Sequence, residues 1–283
     1  MKENKMGVME MKKLILTMSF PIMISMLVQA LYNIIDSMFV ARVSEAALAA
    51  VSLCYPVQMI LIAVACGTGV GVNALLSRYL GEKKYKEANQ IASHGLFLAI
   101  CNWLIFAVLG MFFSETFLRI FSSDEQILQM GISYMKICTL FSFGVFIQIT
   151  YERIMQSTGN TIYNMIIQGV GALINIILDP IFIFGYFGLP AFGVKGAAIA
   201  TVIGQMIAMM LGIIITQKKI KEVKIHPKEW KLDIKMIGKM YQIGFPAILM
   251  QSIMSFMTVF MNMILIPFSE LAVSVFSIYF KLQ

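Results

Sequence analysis

The chain has 283 residues, of which 59% are hydrophobic and only 13% charged, and a formal net charge of +7. A soluble domain of ordinary composition carries about a quarter of its residues as charges, so that class is excluded. The basic residues gather at the flanks of apolar runs, which points to membrane orientation and not to nucleic acid as the reason for the positive charge.

Apolar runs of membrane-spanning length recur along the sequence without strand-type alternation, so the predicted class is an all-α, polytopic integral membrane protein and not a barrel. Spans are predicted at about 14–40, 53–76, 91–113, 132–155, 162–184, 196–216 and 240–268, and another apolar run starts near Leu271. The first apolar run outlasts a signal-peptide core and no small-residue cleavage site follows it, so it reads as an uncleaved span. The first and seventh spans are longer than a bilayer needs, which permits tilt or a kink at Pro21 and Pro246.

The first span carries Ser25, Gln29, Asn33 and Asp36 at steps of 4, 4 and 3, one face of a helix. An acid at membrane depth is costly and usually faces a protein cavity where it has a function; the alternative is a polar stripe that joins neighbouring helices. The second span contains Gly67, Gly69 and Gly71, which read as close helix packing, because a phosphate loop needs a preceding strand. The fourth span has Gln148, Glu152 and Gln156 at steps of 4, with Arg153 beside the acid, and a local ion pair or loop clamp is the expected role.

The fifth span places Asn175 and Asp179 on one face, followed by Pro180, with Gln168 extending the stripe. The sixth offers Thr201 and Gln205. Asp36 lies six residues before Arg42, Asp179 six before Gly185, and Thr201 six after Lys195. Each therefore sits about 9 Å inside the outer boundary, so one shared site is expected; the alternative is that Asp179 caps a helix break. Two carboxylates in a low-dielectric pocket repel each other, and such a pair can hold a proton, or a hard cation with oxygens of Asn175 and Thr201. The seventh span has a polar face of Gln251, Ser255, Thr258 and Asn262 without an acid. The predicted substrate cavity is lined by Gln29, Asn33, Gln168, Gln205, Gln251, Ser255 and Thr258. Cys54, Cys66, Cys101 and Cys138 are scattered singly and read as small buried hydrophobes.

With a cytoplasmic N-terminus, seventeen of the 22 basic residues fall inside and five outside, a consistent positive-inside bias. The expected location is the plasma (inner) membrane. A shift of 225 residues lays Phe20-Pro21 on Phe245-Pro246, Ser44-Glu45 on Ser269-Glu270 and Ala47 on Ala272, while Asp36 falls on Met261. This suggests two parallel repeats. The expected organisation is a six-helix lobe at 1–217, a basic amphipathic cytoplasmic linker at 218–239, and the start of a second, incomplete lobe at 240–283.

The run NIILDPIFIF at 175–184 with GVKGAAIATVIGQ at 193–205 resembles the MATE (multidrug and toxic compound extrusion) family. FPIMISMLVQALYNIIDSMFVARV, LSRYLGEKKYKEA, LRIFSSDEQIL and ERIMQSTGN extend the resemblance along nearly the whole chain. It implies a two-lobed transporter that exports cationic amphipathic compounds in exchange for protons or sodium. It also implies a first-lobe cation site of Asp36, Asn175, Asp179 and Thr201, with Asp36, Asn175 and Asp179 as metal ligands only if sodium is the coupling ion. Some members rely on a seventh-span Glu, which is missing here. No cofactor is implied beyond the coupling ion, and the full-length protein is expected to be a monomer.

The expected function is multidrug efflux by secondary antiport. The alternative is a lipid-linked oligosaccharide or other lipid flippase of related architecture, which needs several cavity arginines. An enzyme is not expected, because no HExxH, GxSxG or catalytic dyad occurs in the sequence.

Overall fold

The computed structural model describes residues 5–220, 222–225, 232–265 and 267–269, and the single residues 272, 275, 276 and 279. Among these residues every regular element is helical: α1 Lys5–Val8, α2 Met11–Ala41, α3 Glu45–Gly81, α4 Tyr85–Arg119, α5 Glu125–Leu140, α6 Phe143–Ser157, α7 Thr161–Phe184, α8 Val194–Lys219 and α9 Ile234–Leu265. Six of them are long and apolar enough to cross a bilayer, and α5 with α6 supplies a seventh crossing if counted as one bent span. The chain is a multi-pass helical membrane protein. The run predicted from Leu271 lies largely outside the described residues, as does part of the basic linker.

The helices begin and end where local chemistry requires. Ser44 caps α3 by accepting a hydrogen bond from the Ala47 N–H at 3.0 Å. Asp124 caps α5 through Gln126 and Ile127, and Asp233 caps α9 through Lys235 and Met236. Each such side chain satisfies an N–H that the first turn leaves without an intrahelical acceptor. Removing the α3 cap with Ser44→Ala should therefore lower stability by about 1 kcal/mol, which thermal unfolding of the purified protein checks.

The 225-residue offset is visible in this local chemistry. Ser269 accepts from the Ala272 N–H at 3.0 Å, the same cap in the same geometry as Ser44 and Ala47. Pro21 lies inside α2 and Pro246 inside α9. Both helices continue through their prolines.

The fourth span is not one straight helix. α5 and α6 meet at 45° across Phe141 and Ser142. Ser142 donates its hydroxyl to the Thr139 carbonyl at 2.8 Å, and its backbone N–H bonds the same oxygen. Two donors drawn to one carbonyl three residues back, with Gly144 just beyond, break the α ladder. The bend aims α6 separately from α5.

Glycines set the closest approaches. A side chain at Gly67 would collide with Ile248, one at Gly71 with the Met240 carbonyl, and one at Gly244 with the Gly67 carbonyl. The GTGVG run is thus the contact surface on which α9 lies against α3, as the packing reading expected. α7 and α8 form the other tight pair. A Cβ at Gly204 would stand 2.9 Å from the Gly171 carbonyl oxygen and 3.4 Å from Asn175 Cβ. The α7 terminus turns on Gly185 at φ 77°, where an added Cβ would meet the Leu189 oxygen at 2.6 Å.

Candidate cation site and cavity

The close approach at Gly204 places α8 against the Asn175 face of α7, and α2 packs along the other side of α7. Asn175 is 3%, Asp179 0%, Asp36 7% and Thr201 9% exposed, so the four predicted site residues are all buried. Hydrogen bonding fixes the Asn175 amide. Its nitrogen donates to Asp179 Oδ2 at 3.1 Å, and its oxygen accepts from the Thr201 hydroxyl at 3.3 Å and the Thr201 backbone N–H at 3.1 Å. The Asp36 and Asp179 carboxyl groups are within hydrogen-bonding reach of one another. Two acids in contact need a shared proton or an intervening cation, because bare carboxylates at that range repel strongly. Pro180 has no N–H to give the carbonyl four residues back, so the backbone next to the pair carries an extra free acceptor.

Asp36 also borders a small cavity of about 60 Å³ together with Asn33, Tyr32, Tyr55, Gln58 and Tyr134. Gln58 donates to Tyr134 Oη at 3.2 Å and reaches Cys138 Sγ at 3.7 Å. Tyr32, Tyr55, Gln58 and Tyr134 were missed in the sequence. Tyr32 precedes Asp36 by one helical turn and so lay on the predicted face; Tyr55 and Gln58 share a face of α3 at a step of three, and Tyr134 stands singly on α5. Cys138 is more than a small hydrophobe, because it lines this cavity.

A second cavity of about 550 Å³ adjoins the first, and Gln29, Tyr32, Thr201 and Gln205 line both. Gln168 and Gln251, both predicted, line the larger one. Asp179 lines neither; it stands behind Asn175. Ser255 and Thr258 are each 1% exposed and also stand outside both linings.

Glu152 departs from the expected ion pair. Its Oε1 accepts from Gln148 at 2.9 Å and its Oε2 from Gln168 at 2.9 Å. No ion pair links it to Arg153 among the described residues. Asn164 donates to the Glu152 carbonyl at 3.0 Å, which ties α6 to α7. Arg153 is not a loop charge either: both residues line the larger cavity.

Thr201→Ala should loosen Asn175 by removing one of the two Thr201 donors to its oxygen. The expected cost is about 0.5–1.5 kcal/mol with the helices retained, measured by thermal unfolding with circular dichroism.

A bundle of apolar helices with a buried acid pair beside a drug-sized cavity is a membrane protein built around an internal binding site. The MatE family profile matches residues 21–181, more than half the chain, and the chain belongs to the MATE transporter family. It is 29% identical over 271 residues to the multidrug export protein MepA of Staphylococcus aureus strain MRSA252, covering 95% of this chain and 59% of that one. It is 30% identical over 273 residues to MepA of Staphylococcus haemolyticus, with the same coverage of 95% and 59%. Among solved structures, a MOP superfamily transporter from Pyrococcus furiosus aligns with TM-score 0.84 and 29% identity over 94% of this chain and 58% of that one. A multidrug resistance MATE transporter aligns in its outward-facing form with TM-score 0.82 and 28% identity, covering 88% of this chain and 54% of that one. Its inward-facing counterpart aligns with TM-score 0.83 and 28% identity, covering 93% and 60%. The chain spans about 59% of the length of these MepA relatives.

Proposed function

We propose that the protein exports cationic, amphipathic organic compounds from the cytoplasm across the plasma membrane in exchange for protons or sodium, with its N-terminus inside. The observation that carries the reading is the continuity between the buried Asp36–Asn175–Asp179–Thr201 cluster and the 550 Å³ cavity through Gln29, Tyr32, Thr201 and Gln205. A proton or sodium ion taken up at the acid pair removes the repulsion between α2 and α7 and pulls those helices together. The shared lining residues then reshape the larger cavity, so the coupling ion and the exported compound favour opposite states. Both need only bind one state better than the other.

The cluster can receive either ion. A proton sits between the two carboxyls, whereas sodium is held by those carboxyls with the Thr201 hydroxyl and, once the Asn175 amide turns over, its oxygen, all hard oxygen donors. The lobes at 1–217 and from 240 onward, joined by the basic linker, supply the two sides of the alternating-access movement. That the chain resembles both an outward- and an inward-facing transporter to nearly the same degree, with TM-scores of 0.82 and 0.83, supports the first lobe moving as a unit. A lipid-linked oligosaccharide flippase is disfavoured, because among the described residues Arg153 is the sole basic one in the lining of the larger cavity.

Proteoliposomes containing the protein, given a proton or a sodium gradient separately, test the proposal. The expected result is ethidium export driven by at least one gradient; failure of both gradients to drive export counts against it.

A further inference from the structure

We propose that Glu152 forms a second recognition point, distinct from the acid pair, that takes the positively charged head of an amphipathic organic cation inside the larger cavity. The proposal rests on the export reading, for which it names the residue that would hold the transported compound.

The argument starts from cost. A carboxylate 4% exposed in a membrane protein needs a compensating charge or a full set of donors. Glu152 has neither. Two amide donors, Gln148 and Gln168, occupy one position on each oxygen, whereas an ionised carboxylate offers about four acceptor positions. The adjacent cation is turned away. Arg153 Nη1 donates to Gln156 Oε1 at 2.8 Å, and its stem runs over α3, where a Cβ on Gly69 would stand 2.6 Å from Arg153 Cγ. Gly69 thus makes room for the stem of the arginine.

What surrounds the carboxylate points to a cation. Asn164 Oδ1 and Gln168 Oε1 are buried acceptor atoms with no hydrogen-bond partner among the described residues. Their amide nitrogens are already used on Glu152, by Asn164 on its carbonyl and by Gln168 on its carboxylate. Both residues line the same cavity as Glu152. Using the donors internally leaves two bare acceptor oxygens beside Glu152, which suit an N–H-bearing cation, while Arg153 stands elsewhere in the same lining. The lining also includes the apolar Met26, Ile62, Val145 and Ala172. The cavity volume of about 550 Å³ fits a drug-sized body. Gln168 and Asp179 lie eleven residues apart on α7, so this point sits about 16 Å along the helix from the acid pair. One helix therefore touches both the compound and the coupling ion.

The test measures binding to the purified protein in nanodiscs without any gradient, with ethidium as the cationic probe and Nile red as the neutral one. Glu152→Gln should weaken ethidium binding about tenfold to a hundredfold, as expected for loss of one hydrogen bond to a charged group. Nile red binding should change less than about twofold, and Glu152→Asp should recover part of the ethidium affinity. A folded Glu152→Gln protein that binds ethidium as wild type does, or that loses both probes equally, overturns the proposal. If that variant fails to fold, photolabelling of wild type with ethidium monoazide decides. Adducts within 143–172 support the site, and adducts confined elsewhere overturn it. Wild-type protein that binds ethidium through Glu152 yet moves none under either gradient sinks the export reading alone, while export with Glu152-independent binding sinks this proposal alone.

Discussion

Asp36→Asn should reduce gradient-driven export to the uncoupled level, a loss of about 5–150-fold, the range that typical coupling free energies span. The substitution is nearly isosteric and keeps a polar group on the α2 face that meets Asp179. Its amide donates to that carboxylate without any proton or cation between them. The repulsion that ion binding relieves is then absent in both states, so the ion no longer discriminates between them. Stability should hold or rise, because a neutral amide at 7% exposure costs less to bury than a charge. Export assays in proteoliposomes paired with thermal unfolding separate this outcome from simple misfolding. A variant that is stable and still exports under the same gradient would show that coupling resides elsewhere.

Gly204→Val should be the packing change that most directly disturbs the cation site. The first added atom already stands 2.9 Å from the Gly171 backbone oxygen, and that oxygen belongs to the facing helix, not to a side chain that can turn away. α7 and α8 must separate, and overpacking of this kind costs about 1–3 kcal/mol. The functional effect should exceed the stability effect. Separation pulls Thr201 from the Asn175 amide, whose contacts at 3.1 and 3.3 Å are already at the long end of hydrogen bonding. Unfolding temperature and gradient-driven export, measured on the same preparation, should both fall, with export lost first. Export at the wild-type rate would mean that the α7–α8 spacing is not what assembles the site.

The acid pair and its neighbours were legible because each polar residue repeats on its helix at a step of three or four and all lie at one depth. Those two regularities survive folding. The residues around Asp36 carried a weaker signal: Tyr55 and Gln58 share a face of α3 at a step of three, but nothing in the sequence ties that face to Tyr134, which meets it only through the packing of α3 against α5. Glu152 was misjudged for a geometric reason. Arg153 is its neighbour in sequence, but consecutive residues on a helix point about 100° apart, so adjacency argued for a pair that the helix itself prevents. The bend between α5 and α6 was hidden because no proline marks it; a serine that bonds back to Thr139 breaks the helix instead. Ser255 and Thr258 show the converse, a polar stripe at the right spacing that is buried away from the cavities. Spacing alone finds a polar face but not what covers it.

Cation movement driven by the exported compound tests the central claim most directly. Liposomes holding the protein are given an ethidium gradient and no ion gradient, and internal pH and sodium are followed by dyes specific to each. The account predicts proton or sodium flux opposite to ethidium in wild type, and ethidium movement without ion flux, or none at all, in Asp36→Asn. Wild-type ethidium movement with neither ion moving would contradict it.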